Sequence, residues 1–279
     1  MLKKSFSQNL IKDGNTLRKM VSLAEITKDD TVIEIGAGRG DLTRAIAQCA
    51  HKVIAVELDR DMIPYLESLA SGGPSDAANI EIVFRDILSV DIAGLAAHRK
   101  IKVMGNIPYG ITGPIIFKLI GERAFVESAF LTVQKEIGDR ITAKPGTRAY
   151  GSLSVICRLV ADVKVLMRLK AHIFIPPPKV DSMYFSMHFR DDADYVNDDF
   201  MSFVRGVFSH KRKFMRNALR EKYTDPEIDE LYELMHFSRS VRAEELEPGL
   251  FRTMYRAIEK EGKAPPSLSS SSHIQNHSS

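Results

Sequence analysis

Thr31-Val-Ile-Glu-Ile35 runs straight into Gly36-Ala37-Gly38-Arg39-Gly40, and Asp41-Leu-Thr-Arg-Ala-Ile-Ala47 follows with helical character. Strand, glycine-rich turn, helix is the arrangement of nucleotide-cofactor sites. Glycines let the backbone approach a ligand closely, and the first amides of the helix face it. The spacing is G-x-G-x-G rather than the dinucleotide spacing G-x-G-x-x-G, so the turn alone does not name a ligand. It does point to an open α/β sheet, in which ligands bind at the carboxyl ends of the strands.

Three further strands are expected to end at that edge. Lys52 to Asp59 ends in Glu57-Leu58-Asp59, about twenty residues after the glycines, where an acid accepts from ribose hydroxyls; the plainer alternative for Glu57 is a solvated strand-end charge. Ile80–Phe84 leads to Asp86 and Ile87, an acid that can accept from an adenine amine and an aliphatic group that can pack on the base. Ile101-Lys-Val-Met104 runs into Gly105-Asn106-Ile107-Pro108-Tyr109. The proline ends ladder pairing and biases Ile107 toward an extended backbone. An amide, a proline-flanking carbonyl and an aromatic ring therefore arrive together at a strand end. In isolation such a turn reads more simply as an ordinary strand-to-helix connection.

The rest of the chain fills out the sheet. Apolar residues Leu17, Met20 and Val21 fall at helical spacing between Asp13 and Leu23. Asp61–Leu69 and Gln134–Ala143 read as helices, and Phe130–Val133 as a fifth strand. Val160–Met167 and Ser182–Phe189 alternate enough to form an antiparallel pair at the sheet edge. After the acidic run Arg190-Asp-Asp-Ala-Asp194 the chain turns helical, with Phe200, Phe203, Val204, Val207 and Phe208 on one face.

Composition excludes several classes. The net charge of +3 is too small to imply a partner by itself; its distribution matters more. The two cysteines, Cys49 and Cys157, lie in apolar segments, as buried thiols of a reducing compartment do. The eight histidines show no metal-ligand spacing, so no metal site is expected. No stretch is apolar and long enough to span a bilayer, and Met1–Phe6 lacks the apolar region of a signal peptide, so a cytoplasmic monomer is expected.

Taken together these stretches resemble the class I S-adenosylmethionine-dependent methyltransferases, and more narrowly the ribosomal RNA adenine dimethyltransferases of the KsgA type. The matching pieces are Phe6-Ser7-Gln8-Asn9, Glu34-Ile-Gly-Ala-Gly38, Glu57-Leu-Asp59, Asp86 and Asn106-Ile-Pro-Tyr109. They continue with Gln134-Lys-Glu136, Ala143-Lys-Pro-Gly146, Tyr150-Gly-Ser-Leu-Ser-Val155 and Phe174-Ile-Pro-Pro-Pro-Lys-Val-Asp-Ser182. The resemblance covers roughly residues 3 to 260. Erm-type large-subunit enzymes share the Asn-Ile-Pro-Tyr and Phe-x-Pro-x-Pro-Lys-Val motifs, whereas the 144–155 stretch favours the KsgA type. Ser7 and Leu10 stand where the family usually has Gly and Phe and bring the first motif partway toward the Erm pattern, and Gly110 stands where Asn is common.

The resemblance implies a seven-stranded Rossmann-like sheet over residues 1–190, a small α-helical RNA-binding domain over 191–262 and a disordered tail over 263–279. It implies S-adenosylmethionine held by Gln8, Asn9, Ile11, Gly36, Gly38, Glu57, Leu58, Asp86, Ile87 and Asn106. Catalysis would fall to Asn106, Ile107, Pro108, Tyr109 and Phe174, with the two rings as stacking faces for a flipped adenine; Phe174 reads equally well as a core aromatic. Lys211, Arg212, Lys213 and Arg216 would contact RNA phosphates, although a charge run is more often a solvated helix face. The expected activity is N6,N6-dimethylation of adenine in small-subunit ribosomal RNA. The alternatives are an Erm-type activity, a non-catalytic ribosome-assembly or transcription factor, and a small-molecule methyltransferase.

Overall fold

The computed structural model describes residues 9–72, 79–97, 99–193, 195–210 and 213–259. Nine strands occur in chain order among them: β1 Leu10–Ile11, β2 Thr31–Ile35, β3 Lys52–Glu57, β4 Ile80–Phe84, β5 Ile101–Asn106, β6 Val126–Gln134, β7 Ala161–Leu169, β8 Phe174–Ile175 and β9 Ser182–Phe189. Seven of them form one sheet in the order β4-β3-β2-β5-β6-β9-β7. The pairs from β4 to β6 are parallel, and β9 runs antiparallel to both β6 and β7. The expected mixed seven-stranded sheet is therefore present, with β7 as the outer strand.

Buried parallel strands need apolar side chains on both faces, because helices cover both. Ile33, Ile35, Ile54, Val56 and Val103 face one hydrophobic cluster, and Val32, Val53, Met104, Phe130 and Tyr184 face the other. The second cluster is closed by α1, Gly14–Leu23, whose N-cap Asp13 accepts from the backbone N–H of Thr16 at 2.9 Å. Helices α2 Asp41–Ala47, α3 Ile63–Ala70, α4 Ile92–Ala96 and α5 Thr112–Gly121 make the crossovers between the parallel strands.

Helices α6 Lys135–Thr142 and α7 Ser152–Val160 follow the fifth sheet strand, and α8 Asp198–Val207, α9 Met215–Leu219, α10 Asp225–Leu234 and α11 Pro248–Ile258 make up the helical C-terminal part. No hydrophobic break separates the two parts. Phe200, Phe203 and Phe251 belong to the same cluster as Ile33, Val103 and Leu131. The 143–150 loop is the bracket. Gly146 N donates to Glu244 O at 2.7 Å, and the buried Tyr150 hydroxyl donates to Leu246 O at 2.8 Å. Arg158 holds the other end of that loop by donating to Ala143 O at 3.0 Å and Thr142 O at 3.1 Å.

One feature was not expected from the sequence. The two-residue strands β1 and β8 pair antiparallel as a separate ribbon, Leu10 opposite Ile175 and Ile11 opposite Phe174. It ties the N-terminal arm to the proline-rich loop. Gln8 and the rest of the Phe6–Gln8 motif, Lys211, Arg212 and the 263–279 tail lie outside the described residues.

Candidate active site

The carboxyl ends of β2, β3 and β5, together with the turn after β4, surround one cavity of about 260 Å³. Its floor is the glycine turn. Gly36 N and Ala37 N donate to Val56 O at 2.9 and 3.2 Å, folding the turn back against β3. Gly36 and Gly38 have φ values of +71° and +57°, a region that side chains with a Cβ rarely adopt. A Cβ at Gly38 would sit 2.8 Å from Leu10 Cδ2, so the arm packs directly over the turn. Gly105 has a similar steric reason: a Cβ there would stand 2.7 Å from Ile35 O, where β5 meets β2.

Glu57 closes the turn from the side. Its Oε2 accepts from Gly38 N at 2.7 Å, and its Oε1 accepts from Leu58 N and Asp59 N at 2.8 Å each. A carboxylate offers about four lone-pair directions, so room for one further donor remains. The solvated strand-end alternative does not describe this residue, which is 5% exposed. Asp86 Oδ1 accepts from Leu88 N at 2.9 Å and shapes the next turn, with Ile87 buried beside it.

Asn106 sits at the end of β5. Its Nδ2 donates to the backbone carbonyl of Asn9, which fixes the amide's orientation. Its Oδ1 is buried and has no hydrogen-bond partner among the described residues. Buried polar atoms are seldom left unpaired, and an orphan acceptor on a cavity wall marks a place for a donor. The Tyr109 hydroxyl is 2.6 Å from Ser182 Oγ, and burial pushes its pKa up.

Glu34 is a residue the sequence reading spelled out without assigning a role. It is 1% exposed on β2 and lines the cavity. Burial, with the like charges of Glu57 and Asp41 as smaller causes, pushes its pKa up to about 8. The nearby Thr43 hydroxyl favours the ionised form, but it makes no hydrogen bond of good geometry, and Glu34 Oε2 is unpartnered. The available signal was a charge inside the apolar run Val32–Ile35, which folding does not bury without a reason.

The structure brings Asn9, Ile11, Gly36, Gly38, Glu57, Leu58, Asp86, Ile87 and Asn106–Tyr109 to one cavity. Two residues differ from expectation. Phe174 does not line the cavity; it is 1% exposed and packs with Ile11, Leu17 and Tyr184, because the β1–β8 ribbon turns it inward. It is the core aromatic here. Arg216 is not a free cation. Its guanidinium is clasped by Asp229 and by Asp225 at 2.9 Å, joining α9 to α10, and these bonds raise its pKa. Lys213 is exposed, next to a half-exposed Phe214.

The pocket fits an adenosine-bearing methyl donor: a glycine cradle that a Cβ would fill, an acid at the β3 end and an unpartnered acceptor. No group of three or more His, Cys, Asp or Glu that could hold a metal occurs among the described residues. None of their helices is long and apolar enough to cross a membrane.

Comparison with known proteins shows the family of the chain. Residues 1–260 match the family described as "Ribosomal RNA adenine dimethylase". A ribosomal RNA small subunit methyltransferase A from Clostridioides difficile is 40% identical over 223 residues, covering 77% of this chain and 76% of the relative. One from Ligilactobacillus salivarius is 36% identical over 273 residues, covering 93% and 91%. The crystal structure of a dimethyladenosine transferase from Plasmodium falciparum superposes with a TM-score of 0.78 at 26% identity, covering 91% of this chain and 98% of that one. The 23S rRNA methyltransferase ErmE shares the fold, with a TM-score of 0.69 at 23% identity over 90% of this chain and 100% of that one. The chain belongs to the ribosomal RNA adenine dimethylase family, whose members take methyl groups from S-adenosylmethionine.

Proposed function

We propose that the protein dimethylates the N6 amine of adenines in small-subunit ribosomal RNA, with Asn106 as the residue that orients the amine. The observation that carries this reading is the buried, unpartnered Oδ1 of an amide whose other end is already fixed by Asn9. S-adenosylmethionine, when bound, supplies an electrophilic methyl on sulfur.

The adenine amine is a weak nucleophile because its lone pair is delocalised into the ring. Asn106 Oδ1 and the Ile107 or Pro108 carbonyl accept its two hydrogens and turn the lone pair toward the methyl. Catalysis is then positioning in a matched polar environment. No strong base is needed before attack, since the proton leaves afterwards. Glu57 and Asp86 hold the ribose and the adenine of the donor, and Asn9 and Ile11 cover it. Tyr109 gives the target base an aromatic face once the base has left its stack. Lys213, with Lys211 and Arg212, contributes phosphate contacts from the helical segment 191–262.

The test is methyl transfer from labelled S-adenosylmethionine to immature small subunits, naked small-subunit RNA and large-subunit RNA, with mass mapping of the product. Dimethyladenosine confined to small-subunit RNA is the expected result. Product on large-subunit RNA would move the protein to the Erm activity. Absence of product from every RNA, alongside measurable donor binding, would overturn the RNA reading.

A further inference from the structure

The Tyr109 ring is fixed at both ends. Its backbone opens the 3-10 turn Tyr109–Ile111, and the Thr112 hydroxyl donates to Tyr109 O at 3.2 Å. Its hydroxyl crosses to β9, where Ser182 Oγ lies at 2.6 Å. Ser182 is an unusually firm post. It is 1% exposed, opens the interior strand β9 and pairs with Gln134 of β6 on one side and Leu169 of β7 on the other. The preceding residue is pinned as well. Asp181 O accepts from Lys135 N at 3.0 Å, and the Asp181 carboxylate accepts from Ala171 N at 3.1 Å and Lys170 Nζ at 2.9 Å. Because Phe174 is turned into the core, Tyr109 is the one aromatic residue that lines this cavity among the described residues.

We propose that Ser182 is a positioning residue for the second methyl transfer: it locks the Tyr109 ring through the phenol, so that the monomethylated base stays aligned. This rests on the reading of Tyr109 as the face on which the target adenine stacks. In each transfer a carbon–sulfur bond of the donor breaks, a carbon–nitrogen bond to the adenine amine forms, the sulfonium becomes a thioether and one amine proton leaves to solvent. The unmodified amine has two hydrogens for Asn106 Oδ1 and the neighbouring carbonyl. After the first transfer it has one. One of the two orienting hydrogen bonds is gone, and alignment of the remaining N–H and lone pair falls to the stack. A ring that can swing costs the first transfer little and the second transfer much, since misplacement by about an ångström can cost on the order of a hundredfold.

The experiment compares Tyr109→Phe, Ser182→Ala and the double variant with the wild type. Each single change removes one side of the same hydrogen bond, and Tyr109→Phe keeps the ring and leaves the sheet untouched. The readouts are single-turnover rates for the first and second transfers on small-subunit RNA, donor affinity and melting temperature. We expect monomethyladenosine to accumulate in all three variants, with the second transfer slowed roughly tenfold or more. In Ser182→Ala the first transfer should change by less than about threefold and donor affinity should hold, in Tyr109→Phe the first transfer should be slowed less than the second, and the double variant should be no worse than the worse single. Both transfers slowed in proportion, a wild-type product ratio in Tyr109→Phe, or multiplying losses in the double variant would each overturn the proposal. If the wild type itself made no dimethyladenosine, the functional reading would fall and take this role with it; a defect confined to the variants separates the two cases.

Discussion

The backbone N–H of Gly38 donates to Glu57 Oε2 at 2.7 Å, so one carboxylate at the end of β3 holds the glycine turn that follows β2. Sequence spacing pairs these residues only as parts of a cofactor site. Their contact makes Glu57 a structural clasp of the turn, beside the role proposed for it as a ligand of the donor's ribose.

Glu57→Gln therefore tests two roles at once. An amide group would turn N–H donors against either Gly38 N or the Leu58 and Asp59 N–H groups. Losing a charged hydrogen bond costs about 1.5–3 kcal/mol. Donor affinity by calorimetry should fall by roughly ten- to a hundredfold, with a lowered melting temperature. Affinity equal to wild type would remove Glu57 from the site.

Asn106→Ala should slow methyl transfer by on the order of a hundredfold or more while the protein still binds the donor. Asn106→Asp keeps an acceptor but turns a carboxylate against the Asn9 carbonyl, so it should not restore the rate. Single-turnover transfer alongside a binding titration distinguishes the two steps. Normal turnover in either variant would sink the orienting role.

Glu34 makes stability depend on pH. Its folded-state pKa of about 8 lies above its ordinary value of 4.5. Between the two, the folded state keeps a proton that the unfolded state has released, so stability falls as pH rises through that window. Glu34→Gln removes the titration. Without donor, its melting temperature should be near or below wild type at about pH 4.5 and several degrees above it near pH 8. A difference that does not vary with pH would mean that the carboxyl is ionised in the fold.

Arg216 and Lys213 should separate cleanly. Arg216→Ala releases Asp229, leaves Asp225 to Arg220 alone and should lower the melting temperature by a few degrees, because the tie of α9 to α10 is weakened. Lys213→Glu should leave melting unchanged and weaken RNA binding, with a smaller dependence of affinity on salt. RNA affinity unchanged in Lys213→Glu would return that run to a solvated face. A stable Arg216→Ala protein with weak RNA binding would restore Arg216 to the interface.

The chain's own sequence determined the sheet and its ligand edge. Apolar strand runs ending in Gly36, Glu57, Asp86 and Asn106 leave little choice, because burial on both faces demands such runs and the turn chemistry marks where each stops. The tertiary structure decided what no local window contains. Leu10 and Ile11 pair with Ile175 and Phe174 across more than 160 residues, and that pairing turns Phe174 into the core. Arg216 looks like one more cation in a basic run until α10 folds back and brings two aspartates to it. Glu34 and Ser182 acquired meaning in the same way. A carboxyl shifts its pKa, and a hydroxyl becomes a post for Tyr109, only when folding removes water and supplies the neighbour. Hydrophobic periodicity is written in a few adjacent residues, whereas desolvation and hydrogen-bond partners are properties of the whole packed chain.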